Sequence, residues 1–191
     1  MKIVIEGLWA LGKTLACEFL EKKHDFVFIR EPDHKKHKLE KTDLDRWYYD
    51  KHLENLEKAM EVESDVVLER SVASTLSFIK SRDSKDALVR KLIADERFLA
   101  YKNFDLCIIF NINYKDYLIG TKSLDNKDLK EFILINDKLV RNYNRNLKLY
   151  CEMLFGKDNT KSLNVFKDSA FVEEKIIRNL IEKLIYEKKT E

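Results

Sequence analysis

Apolar residues along this chain follow two alternating patterns. Short continuous runs are of strand length and carry no polar alternation: Ile3-Val4-Ile5, Phe26-Val27-Phe28-Ile29, Val66-Val67-Leu68, Leu106-Cys107-Ile108-Ile109-Phe110 and a weaker Leu163-Asn164-Val165-Phe166. Strands buried on both faces read this way. Between the runs the spacing turns helical. Leu15, Ala16, Phe19 and Leu20 recur at that period after the first run. Further helices are predicted over about Leu44 to Glu61, Lys85 to Tyr101, Asp128 to Phe155 and Phe171 to Glu187. The last has the clearest stripe, built from Val172, Ile176, Ile177, Leu180, Ile181, Leu184 and Ile185. Strands alternating with helices predict a three-layer α/β fold, a five-stranded parallel sheet with helices on both faces. Ligands of such sheets sit at the carboxyl ends of the strands.

That is where the first motif falls. Gly7-Leu8-Trp9-Ala10-Leu11-Gly12-Lys13-Thr14 fits G-x-x-x-x-G-K-[ST] at every fixed position, between the first strand and the first helix. The chain has four glycines, and two of them are spent here. Backbone N–H groups and a helix N-terminus make a phosphate cradle, to which Lys13 adds a point charge for the β/γ phosphates. Thr14 offers its hydroxyl to Mg²⁺. Binding of ATP with magnesium is the expectation.

Composition narrows the class. At 191 residues the chain reads as one domain, 1–191, with no repeat, low-complexity tract or linker. Thirty-six basic and 34 acidic residues give a net charge of +2 without a concentrated basic excess, which argues against a dedicated nucleic-acid binder. Cys17, Cys107 and Cys151 lie far apart in apolar surroundings and read as reduced core thiols. With no signal-type or membrane-length apolar run, a cytoplasmic protein is expected. The charged tail from Glu187 onward reads as a frayed helix end.

Two more strand ends carry candidate chemistry. The second strand leads into Arg30-Glu31-Pro32-Asp33, where the only proline of the chain stops the strand. Glu31 could accept a proton from an attacking hydroxyl or hold a substrate group; the plainer alternative is a charged pair at a strand end. The third strand ends in Glu69-Arg70-Ser71. Glu69 is placed to order Mg²⁺, partly through water, and Arg70 could clamp the acceptor with its planar fork. A Glu–Arg pair capping a helix is the alternative there. Trp47 or Tyr48, on the helix after the second strand, could stack on a base, although Trp47, Tyr48, Leu53, Leu56 and Met60 can also share a core face. His24, His34, His37 and His52 show no metal-ligand spacing.

With Ile5-Glu6-Gly7, Arg30-Glu31-Pro32 and Glu69-Arg70-Ser71 in this order and context, the chain resembles the thymidylate kinase and deoxynucleoside kinase branch of the P-loop kinases. The resemblance implies a kinase, usually homodimeric, acting on a small nucleoside or nucleotide. Catalysis would rest on Lys13, Arg70 and Glu31, and acceptor binding on Arg30, Glu31, Trp47, Tyr48, Glu69 and Arg70. The Arg-Glu-Pro triplet leans toward thymidylate kinase, and the acceptor expected first is dTMP, converted to dTDP, with a deoxynucleoside as the alternative. Glu-Arg-Ser leans toward a deoxynucleoside with Glu31 as base. Two departures stand out. Trp9 and Ala10 occupy positions where thymidylate kinases carry Asp and usually Gly, and Ala10 is tolerable if its φ stays negative. The lid segment, about 114–127, has no arginine, leaving Lys115, Lys122 and Lys127, with Arg141 and Arg145 on a later helix face. A protein that binds nucleotide without turnover is the reading those departures support.

Overall fold

In the computed structural model, which describes residues 1–33, 41–82, 87–121 and 127–191, five strands form one sheet. They are β1 (Lys2–Gly7), β2 (Val27–Ile29), β3 (Val66–Glu69), β4 (Leu106–Asn111) and β5 (Thr160–Asn164), ordered β2-β3-β1-β4-β5. Every pairing is parallel. The three central strands hold the fully buried Ile3, Val4, Ile5, Val66, Val67, Leu68, Cys107 and Ile108. That is why their runs lack polar alternation. The register sets Ile5 beside Glu69 and Gly7 beside Phe110, so the ends of β1, β3 and β4 converge on one edge.

Right-handed crossovers place the helices. The step from β1 to β2 runs toward one edge through α1 (Lys13–His24), and later steps run the other way, which puts α1 on the face opposite the helices that join the later strands. α1 packs on β1, β2 and β3 and touches α8 (Glu174–Thr190). The other layer contains α2 (Lys41–Glu61), α3 (Val72–Arg82) and α7 (Asp137–Phe155), with α3 packed on both neighbours. The remaining helices are α4 (Ala87–Ile93), α5 (Tyr114–Thr121) and α6 (Lys127–Ile135), with a 3₁₀ helix over Glu96–Asn103. No helix among the described residues is long and apolar enough to cross a membrane.

Several boundaries differ from the sequence expectation, each for a local reason. α3 was not expected because it has no polar face: Val72, Ala73, Ser74, Thr75, Leu76, Ser77, Ile79 and Ser81 are all buried. Its hydroxyls are absorbed internally, as where Ser77 donates to the Ala73 carbonyl at 2.5 Å. The segment expected as one helix over Asp128 to Phe155 breaks at Asn136, whose Nδ2 donates back to the Phe132 carbonyl at 2.8 Å. The helix expected over Lys85 to Tyr101 ends at Ile93. Asp95 then caps the 3₁₀ helix by accepting from the Arg97 N–H at 3.1 Å, while Lys85 and Asp86 lie outside the described residues.

The fifth strand sits earlier than Leu163–Phe166. β5 is an edge with one neighbour, so mostly exposed Thr160–Asn164 suffices. Phe166 belongs instead to a two-stranded hairpin, β6 (Phe166–Lys167) with β7 (Ala170–Phe171), turned through Asp168 and Ser169, both at positive φ. The last helix does not end at Glu187, since α8 continues through the charged tail to Thr190. Within the α8 stripe only Ile177, Ile181 and Ile185 are buried, one i, i+4 row, while Ile176 and Leu180 face outward. On α2 the core positions are Tyr49, Leu53, Leu56 and Ala59, and Met60 is exposed.

Candidate active site

The glycine loop starts where β1 runs out of room. Gly7 lies at φ +146, and a Cβ there would come within 2.8 Å of the Phe110 carbonyl oxygen and 3.1 Å of Phe110 Cβ. Gly12, at φ +81, opens α1 from a left-handed conformation with space around it. Backbone shape alone selects glycine there. Ala10 does not keep the negative φ expected of it: at φ +57 it carries a left-handed residue at a cost of about 1–2 kcal/mol. The loop is held in place from below by the buried Leu8 and Leu11, and from the side by the Tyr117 hydroxyl, which donates to the Trp9 carbonyl at 3.0 Å. Replacing Gly7 by alanine combines a strained φ with a backbone collision, a cost of at least about 2 kcal/mol. Gly7→Ala is therefore expected to lower Tm by roughly 4–8 °C and to weaken Mg-ATP binding, read by thermal melts with and without the nucleotide.

Trp9 lies among aromatic side chains. Its indole packs edge-on against Phe132 (5.3 Å between centroids) and Phe78 (6.3 Å) and lies tilted on Tyr143 at 5.2 Å. The Arg70 guanidinium stands 5.9 Å from it. The residue at this departure from the family pattern thus faces the Arg70 side of the sheet edge.

Lys13 opens α1 with its ammonium buried, donating to the Leu8 carbonyl at 2.7 Å. Burial, reinforced by the nearby Arg70 charge and opposed by Glu31, Glu69 and Glu6, brings its pKa down to about 7. Beside it the Thr14 hydroxyl donates to Glu69 Oε1 at 2.5 Å, across the contact of α1 with β3. A hydroxyl and a carboxylate at one spot suit Mg²⁺, which binds through one or two protein oxygens together with substrate phosphates. Lys13, Thr14 and Glu69 are thus brought together.

Arg70 forms the second centre. It is buried, at φ +68, with its N–H donating to the Ile5 carbonyl at 3.1 Å. Its Nε donates to Glu31 Oε2 at 2.8 Å, and its NH1 to both Ser74 Oγ and the Tyr143 hydroxyl at 2.9 Å. Burial alone would raise the Glu31 pKa, but the charges of Arg70, Lys13 and His52 and the Arg70 hydrogen bond outweigh it and hold the carboxyl below its ordinary value. Burial would likewise lower the Arg70 pKa, and Glu31 more than offsets it.

Other expected residues make contacts of their own. The Arg30 side chain is 58 % exposed, pairs with Glu18 on α1 at 3.1 Å and covers the Phe28 ring. Trp47 meets Tyr48 edge-on at 5.0 Å, and Tyr48 stacks on His52 at 6.1 Å. Part of the segment expected as a lid is helical, as α5, and residues 122–126 lie outside the described set, as do His34 and His37. Arg141 pairs with Asp137 and covers the Tyr114 ring, and Arg145 is exposed on α7. Beside the loop, a cleft of about 190 Å³ opens between Gly12, Leu15 and Ala16 on one side and α8 on the other, lined also by Phe110, Phe171 and Val172.

Four site residues had escaped the sequence reading as site residues: Glu6, Ser74, Tyr143 and His52. Glu6 is fully buried and accepts from the Ser71 N–H (2.8 Å), Ser71 Oγ (2.6 Å) and Ser74 Oγ (2.6 Å). An acid inside an otherwise apolar strand was the available signal. His52 is buried with Nδ1 unpartnered among the described residues, and desolvation, offset in part by Glu31, brings its pKa down to about 4. Tyr143 is 73 positions from Arg70 and no local pattern joins them.

No family model matches the chain, and neither does a curated protein sequence. Solved structures do. Deoxyadenosine kinase from M. mycoides, determined with its products dCMP and a flexible dCDP, is 18% identical over 98% of this chain and 100% of that one, with a TM-score of 0.69. Thymidylate kinase from Candida albicans is 13% identical over 98% and 92%, with a TM-score of 0.67, and that from Ehrlichia chaffeensis is 13% identical over 97% and 98%, with a TM-score of 0.58. At such identities the likeness is one of fold, and nearly the whole of each chain takes part: this protein has the P-loop fold shared by the deoxyadenosine and thymidylate kinases.

Proposed function

We propose that the protein transfers the γ-phosphoryl group of ATP to the 5′-hydroxyl of a nucleoside, with Glu31 as the general base. The observation that carries this reading is the Glu31–Arg70 pair at 2.8 Å. A hydroxyl is a poor nucleophile and gains from a nearby carboxylate that stays ionised, which the Arg70 charge favours here. In the transfer, the O5′–Pγ bond forms and the bond from Pγ to the β/γ bridging oxygen breaks. The hydroxyl proton passes to Glu31, and the charge leaves on ADP. Lys13 and the loop N–H groups would hold the phosphates, Thr14 and Glu69 would hold Mg²⁺, and the ion would supply charge neutralisation to the phosphates. Trp47 or Tyr48 would supply a wall for the base. The M. mycoides enzyme holding dCMP, which is what phosphorylation of a deoxynucleoside yields, supports the same acceptor class.

The dTMP reading, which the Arg30-Glu31-Pro32 triplet favoured, asks for free cations around the acceptor phosphate. Arg30 is engaged with Glu18, two donor groups of Arg70 are committed to Glu31, Ser74 and the Tyr143 hydroxyl, and the Trp9 ring flanks the guanidinium. The thymidylate kinase fold keeps dTMP as the second reading. A cytoplasmic homodimer completes the proposal, on the family resemblance. The deciding assay offers Mg-ATP with thymidine, deoxyadenosine, deoxycytidine and dTMP separately. Product from a nucleoside and none from dTMP is expected, turnover of dTMP alone would replace the first reading by the second, and ATP binding without transfer would point to a protein that lost turnover.

A further inference from the structure

Around Arg70 the hydrogen bonds form a chain with a single direction. NH1 can only donate, so Ser74 Oγ and the Tyr143 hydroxyl both accept from it, each at 2.9 Å. The Tyr143 proton then goes to Ser74 Oγ at 3.0 Å, and the Ser74 proton to Glu6 Oε2 at 2.6 Å. Ser74 is thereby saturated, with two lone pairs and one proton in use. Glu6 closes the chain, its other oxygen holding the Ser71 N–H and hydroxyl, immediately after the left-handed Arg70. Glu6 comes from β1, Ser74 from α3 and Tyr143 from α7, so three elements of the rigid scaffold fix one guanidinium. All four side chains are buried, and no bond in the chain can reverse without stranding a donor.

We propose that Glu6, Ser74 and Tyr143 are positioning residues, a buried chain that fixes the Arg70 fork and through it the aim of the Glu31 carboxylate. This deepens the nucleoside-kinase reading and rests on it for its effect on turnover. None of the three touches the reacting atoms. They act by denying the guanidinium other orientations, so that Nε alone is turned toward Glu31. Besides Arg70 at the end of β3 and the Tyr143 hydroxyl from α7, the charged or titratable groups that face Glu31 are Lys13 from α1 and His52 from α2. Neither belongs to the chain, so its removal leaves them in place.

Tyr143→Phe tests this, because the ring keeps its packing on Trp9 and only the hydroxyl is lost. The expected result is a roughly tenfold fall in kcat with KM for Mg-ATP unchanged, and an acid limb of the kcat/KM profile moved to higher pH by about half a unit. In a Glu31→Gln background the same substitution should cost nothing further, since the base it aims is gone. An equal loss in both backgrounds would mark a packing role and overturn the proposal. Ser74→Ala is the second probe and should show the same dependence on Glu31. A third measurement needs no turnover: the ¹³C titration of the Glu31 carboxyl in the full-length protein, assigned through Glu31→Gln. A midpoint raised by Tyr143→Phe supports the chain even where the acceptor assay fails, and an unmoved midpoint sinks it whatever the acceptor.

Discussion

Glu31→Gln is expected to lower kcat for a nucleoside acceptor by about 10³-fold while leaving KM for Mg-ATP within about twofold. Glutamine matches glutamate in size, and its amide oxygen can still accept from Arg70 Nε, so the geometry of the pair survives. What disappears is a carboxylate able to take the hydroxyl proton. The pH profile makes the test specific. Because Arg70, Lys13 and His52 hold the Glu31 pKa below its ordinary value, the wild-type acid limb should fall below about pH 4.5, with activity gained as pH rises through it. In the variant that limb should vanish. Folding follows the same sign. A depressed carboxyl contributes stability above its unfolded pKa and loses it as pH falls through the folded one, so the acid sensitivity of Tm should soften in Glu31→Gln. For an acceptor that already carries a phosphate, no proton need be removed by this group. A loss under tenfold with dTMP as the working substrate would therefore remove Glu31 from the role of base.

How legible was this site in the sequence? The loop was fully legible, because its signal is local: fixed glycines, a lysine and a threonine between one apolar run and one helix. Parallel order was legible as well, since continuous apolar runs separated by helices admit few topologies. Glu31 and Glu69-Arg70 could be placed at strand ends, but the register could not, and it is the register that sets Glu69 beside Ile5 and within reach of Thr14. α3 was hidden because a helix with eight of its eleven residues buried has little amphipathic period. The Glu6–Ser74–Tyr143 chain was hidden for a stronger reason. Its members come from three elements and meet only after the sheet and helices have packed, and two of the bonds span 68 and 69 positions. Trp9 and Ala10 show the opposite case. Their departure from the family pattern was visible at once, but neither the left-handed φ of Ala10 nor the direction of the indole follows from residue type.

Lys13→Met should be the most damaging substitution at the phosphate site, with turnover lowered by about 10³-fold, in the range seen when one preorganised donor to developing charge is removed. Methionine fills much of the same buried space, so folding should survive. The free protein also gives the charge of Lys13 a pH signature. Burial, followed by repulsion from Arg70, holds its pKa at about 7, so near pH 8 most molecules carry a neutral amine bonded to the Leu8 carbonyl. A triphosphate placed against it favours the ammonium. Binding of Mg-ATP at pH 8 should therefore take up close to one proton, and affinity should fall as pH rises from about 7 to 9. Calorimetry in two buffers of different ionisation enthalpy measures the uptake directly, and Lys13→Met should remove Lys13's contribution to it. Stability runs the other way. Between about 7 and the ordinary lysine value of 10.5 the unfolded chain binds the extra proton, so this group's contribution to folding stability rises with pH across that window. The variant should lose that rise and bind Mg-ATP with a flatter pH dependence. An unchanged proton uptake in Lys13→Met would mean that another group answers the triphosphate, and the lysine's place in the cradle would have to be given up.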